Sequence, residues 1–270
     1  MGVVNRNNAR VSGSGNTTLI FAHGFGCDQN MWRFIEPAFT RNYRTVLFDL
    51  VGSGKSDPSA YNTTKYARLQ GYADDVLEIV EEFGQGRIVY VGHSVSAMIG
   101  VLADRASPGC FASHIMVAPS PCYINHEDYV GGFERRDIDA LLKTMEENYL
   151  GWASTMAPTI MGTPGKPELV EELNNSFCRN DPEIAREFAR VTFLSDNRQD
   201  LIGLDTPCLI LQSSDDLIAP ETVGNYMHRV LPRSTLRIID NVGHCPHMST
   251  PGAIADAMRE FLGDLAEADK

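Results

Sequence analysis

Positive charge is scarce in this chain: 23 Lys and Arg face 35 Asp and Glu, leaving a net charge of −12 over 270 residues. That balance opposes nucleic acid or an anionic membrane as a partner, because both call for a positive field. Long apolar runs are also missing. No stretch reaches the roughly 18 residues that a membrane-spanning helix needs, and the polar opening from Met1 to Gly15 lacks the basic-then-apolar order of a secretory signal. The six cysteines (Cys27, Cys110, Cys122, Cys178, Cys208, Cys245) have no paired spacing, so free thiols in a reducing cytoplasm are expected. Neither a zinc-type pair nor a Gly-rich phosphate loop with its lysine occurs. A cytoplasmic protein without metal or cofactor is the expectation.

What remains is an ordinary globular composition, 43% hydrophobic and 21% charged, long enough for one large core with an inserted subdomain. Thr18 to Ala22, Arg44 to Asp49, Arg87 to Val91, His114 to Ala118, Cys208 to Gln212 and Thr235 to Ile239 read as short buried strands. Between them Tyr66 to Phe83, Ser96 to Ala106, Pro220 to Val230 and Pro251 to Leu265 read as helices, with a frayed tail from Leu265 to Lys270. Alternating strands and helices imply a largely parallel sheet covered on both faces. From Ser120 to Ser195 the strands stop. Phe133 to Met145, Glu147 to Met161, Pro167 to Phe177 and Pro182 to Leu194 all look helical, with Gly162 to Gly165 as a break and Asp181-Pro182 as an N-cap and first position. The expected division is an α/β core of residues 1–120 and 196–270 with a four-helix cap, residues 121–195, over the sheet's carboxyl edge. Ligands bind at that edge in open α/β sheets.

Three residues of complementary chemistry each follow a strand. Ser94 sits where Val89 to His93 gives way to a helix, a setting for a sharp turn that exposes its hydroxyl. A serine hydroxyl is a weak nucleophile without a base, and a histidine, with a pKa of about 6.5, takes and returns protons near neutrality. His244 follows a flexible Val242-Gly243 turn, whereas His228 falls within a helix and His247 comes after Pro246 and could pack beneath the site. The histidine needs a carboxylate to hold its tautomer. Asp215 and Asp216 are adjacent, so chain order does not separate them; Asp216 is the preferred reading. Charge developing on a substrate oxygen needs donors. The backbone N–H of Val95 is one, and the loop His23-Gly24-Phe25-Gly26 offers a second at Phe25, unless that loop is an ordinary tight turn. Ser94 could alternatively serve only to cap its helix. Ser96 stands where the common Gly-x-Ser-x-Gly pattern has its second glycine; serine is small enough to keep the turn.

These residues resemble a known family. Gly92 to Gly100 (GHSVSAMIG), His23 to Gln29 (HGFGCDQ) and Tyr129 to Glu134 (YVGGFE) look like the α/β-hydrolases that include plant strigolactone and karrikin receptors and the bacterial sigma-B stress regulator RsbQ. Val51 to Gly54, Ser120 to Tyr123, Asn148 to Ala153 and Gly243 to Ser249 look closest to the bacterial branch. The resemblance runs through nearly the whole chain and implies an α/β-hydrolase fold with a four-helix cap, a Ser94–Asp216–His244 triad and no cofactor. It also implies slow hydrolysis of small apolar esters or lactones, and for the RsbQ-like branch a signalling role beside a PAS-domain phosphatase in the general stress response. Phe25, Val95, Phe133, Trp152, Met156, Phe188 and Phe193 are the expected pocket lining, against simple packing between cap and core. Two other functions keep the same residues: a ligand receptor with slow or single-turnover hydrolysis that signals to a partner, and a cofactor-independent haloperoxidase.

Overall fold

In the computed structural model, which describes residues 2–163 and 165–268, the apolar strand segments form one seven-stranded sheet. Helix α1 (Val3–Arg6) and strands β1 (Arg10–Ser12), β2 (Thr17–Ala22) and β3 (Arg44–Phe48) come first. Then follow α2 (Leu69–Phe83), β4 (Arg87–His93), α3 (Val95–Ala106) and β5 (Ser113–Val117). Four helices without a strand come next: α4 (Arg135–Glu147), α5 (Tyr149–Met161), α6 (Pro167–Arg179) and α7 (Pro182–Phe193). The chain closes with β6 (Cys208–Asp215), α8 (Glu221–Val230), β7 (Ser234–Val242), α9 (Pro246–Ser249) and α10 (Pro251–Ala268). The strand order is β1-β3-β2-β4-β5-β6-β7, and only β1 runs antiparallel to its neighbour.

Burial on both faces explains the unbroken apolar strands. Successive side chains along a strand point to opposite faces. Leu19, Phe21, Val89, Val91, Ile115, Val117, Leu209 and Leu211 join α10 and the cap helices in one cluster, while Ile20, Ala22, Tyr90, Met116 and Ile210 pack with α2, α3 and α8 in another. No helix among the described residues is long and apolar enough to cross a membrane.

The structure departs from the expected elements at several ends, each for a local reason. Helix α2 starts at Leu69, later than Tyr66, because residues Lys65–Ala67 wind into a tighter 3-10 turn. The first cap helix starts at Arg135, because Glu134 and Asp137 exchange capping hydrogen bonds with each other's backbone. Asn148 separates α4 from α5 by accepting from the Gly151 N–H. Strands β6 and β7 run past the expected ends at Gln212 and Ile239, with a bulge at Ser213/Asp215. The polar opening hides α1 and the antiparallel edge strand β1, which the sequence pattern did not reveal. Helix α10 continues to Ala268 where fraying was expected from Leu265; residues 269 and 270 lie outside the described residues, as do Met1 and Pro164 of the expected break. Leu19 is fully buried in the middle of the sheet. Leu19→Ala should therefore cost about 2–5 kcal/mol, read as a lower urea midpoint at unchanged slope; a shift below about 1 kcal/mol would mean the sheet centre repacks freely.

Candidate active site

The carboxyl ends of β2, β4, β6 and β7 meet under the four helices. Between β4 and α3 the chain turns so tightly that Ser94 takes φ 56° and ψ −126°. A non-glycine residue holds such a backbone only under constraint, at roughly 1–3 kcal/mol. Gly92 permits the turn: a Cβ there would stand 2.7 Å from the backbone of Ser96 and Ala97. The departure at Ser96 has a structural role, because its hydroxyl donates to the His23 carbonyl at 2.5 Å and ties the new helix to the loop after β2. That loop is held twice more. The Leu50 N–H donates to His23 Nε2 at 3.0 Å, so His23 Nδ1 carries the proton and donates to the Gly24 carbonyl at 2.8 Å. Gly24 lies against His93, whose Nδ1 would be 2.4 Å from an added Cβ.

His244 Nε2 lies 2.8 Å from Ser94 Oγ, and His244 Nδ1 lies 2.7 Å from Asp216 Oδ2. The other oxygen of Asp216 accepts from the Ile218 and Ala219 N–H groups at 2.8 and 3.1 Å. Asp216 is buried while Asp215 is exposed, which separates the two acids that chain order left open. Asp215 contributes through its backbone, its carbonyl accepting from Gly243 N–H at 2.7 Å. His228 is exposed on α8, with Nδ1 2.9 Å from Ser234 Oγ. His247 is buried behind the site, between the rings of Trp32 (4.8 Å) and His93 (4.4 Å).

Two supports of the His244 loop have no simple sequence signal. Asn241 donates to Ser213 Oγ and the Gly243 carbonyl and accepts from Ser249 and Thr250 hydroxyls at 2.6 Å each. The His244 N–H donates to the Ile160 carbonyl at 2.8 Å. Ile160 belongs to the last turn of α5, where carbonyls have no partner within the helix, so the cap grips the loop through its backbone.

Of the residues read as pocket lining, the structure places Phe25, Trp152, Met156 and Phe193 around the cavity above Ser94, together with Tyr123, Ile160, Leu173, Phe177, Thr192 and Ile218. The cavity between these walls is narrow, about 30 Å³. Three expected lining residues are elsewhere. The Val95 side chain turns into the core under α3, leaving its backbone N–H at the first position of that helix, without an acceptor inside it. Phe188 sits one turn before Thr192 on α7, behind Phe25 (5.6 Å) and over Tyr72 (4.7 Å) of α2. Phe133 is half-buried and bridges to Ile124 ahead of α4.

Tyr123 is the site residue that sequence reasoning missed, although it follows β5 at the same sheet edge. Its hydroxyl is 3.2 Å from Ser94 Oγ, and burial pushes its pKa up, so it stays protonated. With Nδ1–H of His244 on Asp216, Ser94 donates to Nε2 and Tyr123 donates to Ser94. Buried thiols flank the cavity at Cys27 and Cys245, both with pKa values raised first by desolvation. All six cysteines are free. His93, Cys245 and His247 bring possible metal-ligand atoms within 4.8 Å of one another. His93 Nε2 is already 2.8 Å from the His244 carbonyl and Nδ1 abuts Gly24, so the trio is a packed wall behind His244.

The profile of the alpha/beta hydrolase family matches residues 19–257. The karrikin insensitive 2 receptor CA of Petunia hybrida is 40% identical over 269 residues, covering 98% of this chain and 100% of the relative. Strigolactone esterase D14 of Arabidopsis thaliana is 38% identical over 256 residues, covering 94% and 96%. Among solved structures, a hydrolase from Oleispira antarctica superposes with a TM-score of 0.94 at 44% identity, over 97% of this chain and 96% of that one. The chain belongs to the alpha/beta hydrolase family and has its fold.

Burial keeps the wall of histidines neutral. His93 is held well below the usual imidazole range by desolvation, then by His247 and His244; His247 is pushed down to about 3 by desolvation, then by His244 and Arg33. Unfolding frees both to titrate near about 6.5, so below that pH the unfolded chain binds more protons than the folded one. Stability is then fully present above about pH 6.5 and falls with acidification, by at most about 1.4 kcal/mol per pH unit for each ring. Urea midpoints measured between about pH 5 and 6.5 should drop steadily. A flat profile in that window would show that the rings titrate in the native state.

Proposed function

We propose that this hydrolase cleaves a small hydrophobic ester or lactone through an acyl-enzyme on Ser94. The observation that carries the reading is the hydrogen-bonded chain Asp216–His244–Ser94, 2.7 and 2.8 Å long, at the floor of an apolar cavity. His244 Nε2 takes the Ser94 proton as the oxygen attacks the carbonyl carbon, and Asp216 stabilises the imidazolium that forms. The N–H groups of Val95 and Phe25 receive the developing oxyanion. His244 then protonates the leaving oxygen, and the reverse sequence with water releases the acid. In a lactone the leaving oxygen stays attached to the acyl chain, so one product leaves.

The cavity favours a ligand with little polar surface, but not none. Trp152 and Thr192 are among its lining residues, and Trp152 Nε1 and Thr192 Oγ1 are buried without a hydrogen-bond partner. An unmet buried donor costs about 1–3 kcal/mol, so a substrate with a second acceptor oxygen gains affinity there over a pure hydrocarbon ester. The room above Ser94 is too tight for such a molecule until the cap helices part.

The similarity to the petunia receptor favours a second reading, in which hydrolysis is slow or occurs once and the cap signals to a partner. In the RsbQ-like form of that reading the partner is a PAS-domain phosphatase in cytoplasmic stress signalling. Turnover separates the two: an enzyme sustains ester hydrolysis, while a receptor gives one burst and an adduct on Ser94 or His244, seen in the intact mass. Ser94→Ala should abolish acyl transfer and keep the fold. Asp216→Asn should slow the reaction about 10⁴-fold, while Asp215→Asn, changing an exposed side chain, leaves it nearly intact. The opposite ranking in short-chain ester assays would remove Asp216 from the proposed role.

A further inference from the structure

The cap joins the core through two chain segments, one leaving β5 and one returning to β6, and they meet as a neck. Cys122 and Asp196 face each other there in an antiparallel bridge, and the Asn197 N–H donates to the Pro121 carbonyl at 2.7 Å. His126 is held beside them by a turn in which its N–H donates to the Tyr129 carbonyl at 2.8 Å and its carbonyl accepts from the Tyr129 N–H at 3.1 Å. The result is a thiol, an imidazole and a carboxylate whose possible ligand atoms all lie within 4.8 Å of one another, with His126 and Asp196 exposed. This cluster is outside the cavity and plays no part in the chemistry assigned to Ser94.

We propose that Cys122, His126 and Asp196 form a binding site for a zinc-like divalent cation at the neck of the cap. The distances fit. Zinc holds thiolate sulfur at about 2.3 Å and imidazole nitrogen at about 2.0–2.1 Å, which in a tetrahedron sets the two ligands about 3.5 Å apart. Cys122 Sγ and His126 Nε2 are 3.6 Å apart. Mixed sulfur, nitrogen and oxygen donors suit zinc rather than magnesium or calcium, which prefer all-oxygen shells. Water takes the fourth position, since the site is open on one side. On binding, Cys122 gives its thiol proton to solvent and the thiolate joins the metal. Two contacts compete: the Cys122 thiol donates to the Ile124 carbonyl at 3.5 Å, and the Arg198 guanidinium holds Asp196 Oδ1 and Oδ2 at 2.8 and 2.6 Å. One oxygen must leave Arg198 for the metal, while the other remains paired.

The position gives the site a consequence. A metal there staples the segments through which the cap is attached, and Tyr123, next to Cys122, touches Ser94 Oγ at 3.2 Å. Loading the neck therefore restrains the same segment that carries a hydroxyl into the reaction centre.

The test is titration of the full chain with Zn²⁺ by calorimetry and with Co²⁺ by absorbance, whatever the enzyme's activity. One ion per chain and a thiolate-to-cobalt charge-transfer band are expected. His126→Ala, a change at an exposed residue, should weaken binding by more than the tenfold that loss of an outer-shell partner can cost; Asp196→Asn should weaken it as well. Arg198→Gln should tighten it by freeing the carboxylate. Cys178→Ser, which removes the exposed thiol elsewhere, should leave the band in place. No binding, binding without a thiolate band, a band lost with Cys178, or equal affinity in His126→Ala and the unaltered chain would each overturn the proposal.

Discussion

The backbone turn at Ser94 is the constraint that organises the rest of the site. A serine at φ 56° persists only because surrounding contacts over-determine it. Gly92 lets the first turn of α3 lie against the end of β4, the Ser94 N–H donates to the Val117 carbonyl at 2.9 Å, and Ser96 bonds back to His23. These contacts aim the hydroxyl out of the sheet and leave the Val95 N–H at a helix start. Relaxing the turn would let the Ser94 side chain fall back toward the helix as an ordinary cap.

The imidazole depends on a different kind of support. Its loop follows β7 and is gripped from below by Asn241 and from above by the Ile160 carbonyl of α5. Behind it stand Trp32 and two histidines that burial keeps neutral. Helix α5 thus both lines the cavity, through Trp152 and Met156, and holds the His244 backbone, through the Ile160 carbonyl.

Much of this was legible before any coordinates. The short, unbroken apolar runs identified six of the seven strands, and the strand-free interval from Ser120 to Ser195 identified the four cap helices. The seventh strand, Arg10–Ser12, is an edge strand with exposed and half-buried side chains, so it carries no apolar signature. The lining residues were read less well. Phe188 and Phe193 lie on one short helix and are alike in type, yet only Phe193 meets the cavity, because the phase of α7 against α2 is set by packing over Tyr72. Tyr123 ends the segment Ser120 to Tyr123, which carries the family resemblance but no pattern that points to chemistry, and only the approach of its hydroxyl to Ser94 Oγ marks it as a site residue.

Sequence alone determined the class of fold, the placing of Ser94, Asp216 and His244 just past strand ends and the positions where small residues must stand, since these follow from local periodicity and backbone sterics. Only the tertiary structure decided which of two adjacent aspartates faces the imidazole, what Ser96 does in place of a glycine, and how little room the cap leaves above Ser94. The same holds for the meeting of Cys122 and His126 with Asp196, about seventy positions further on. Each of these depends on distances between segments remote in the chain, and such distances are set when the sheet twists, β6 bulges and the cap settles on its edge.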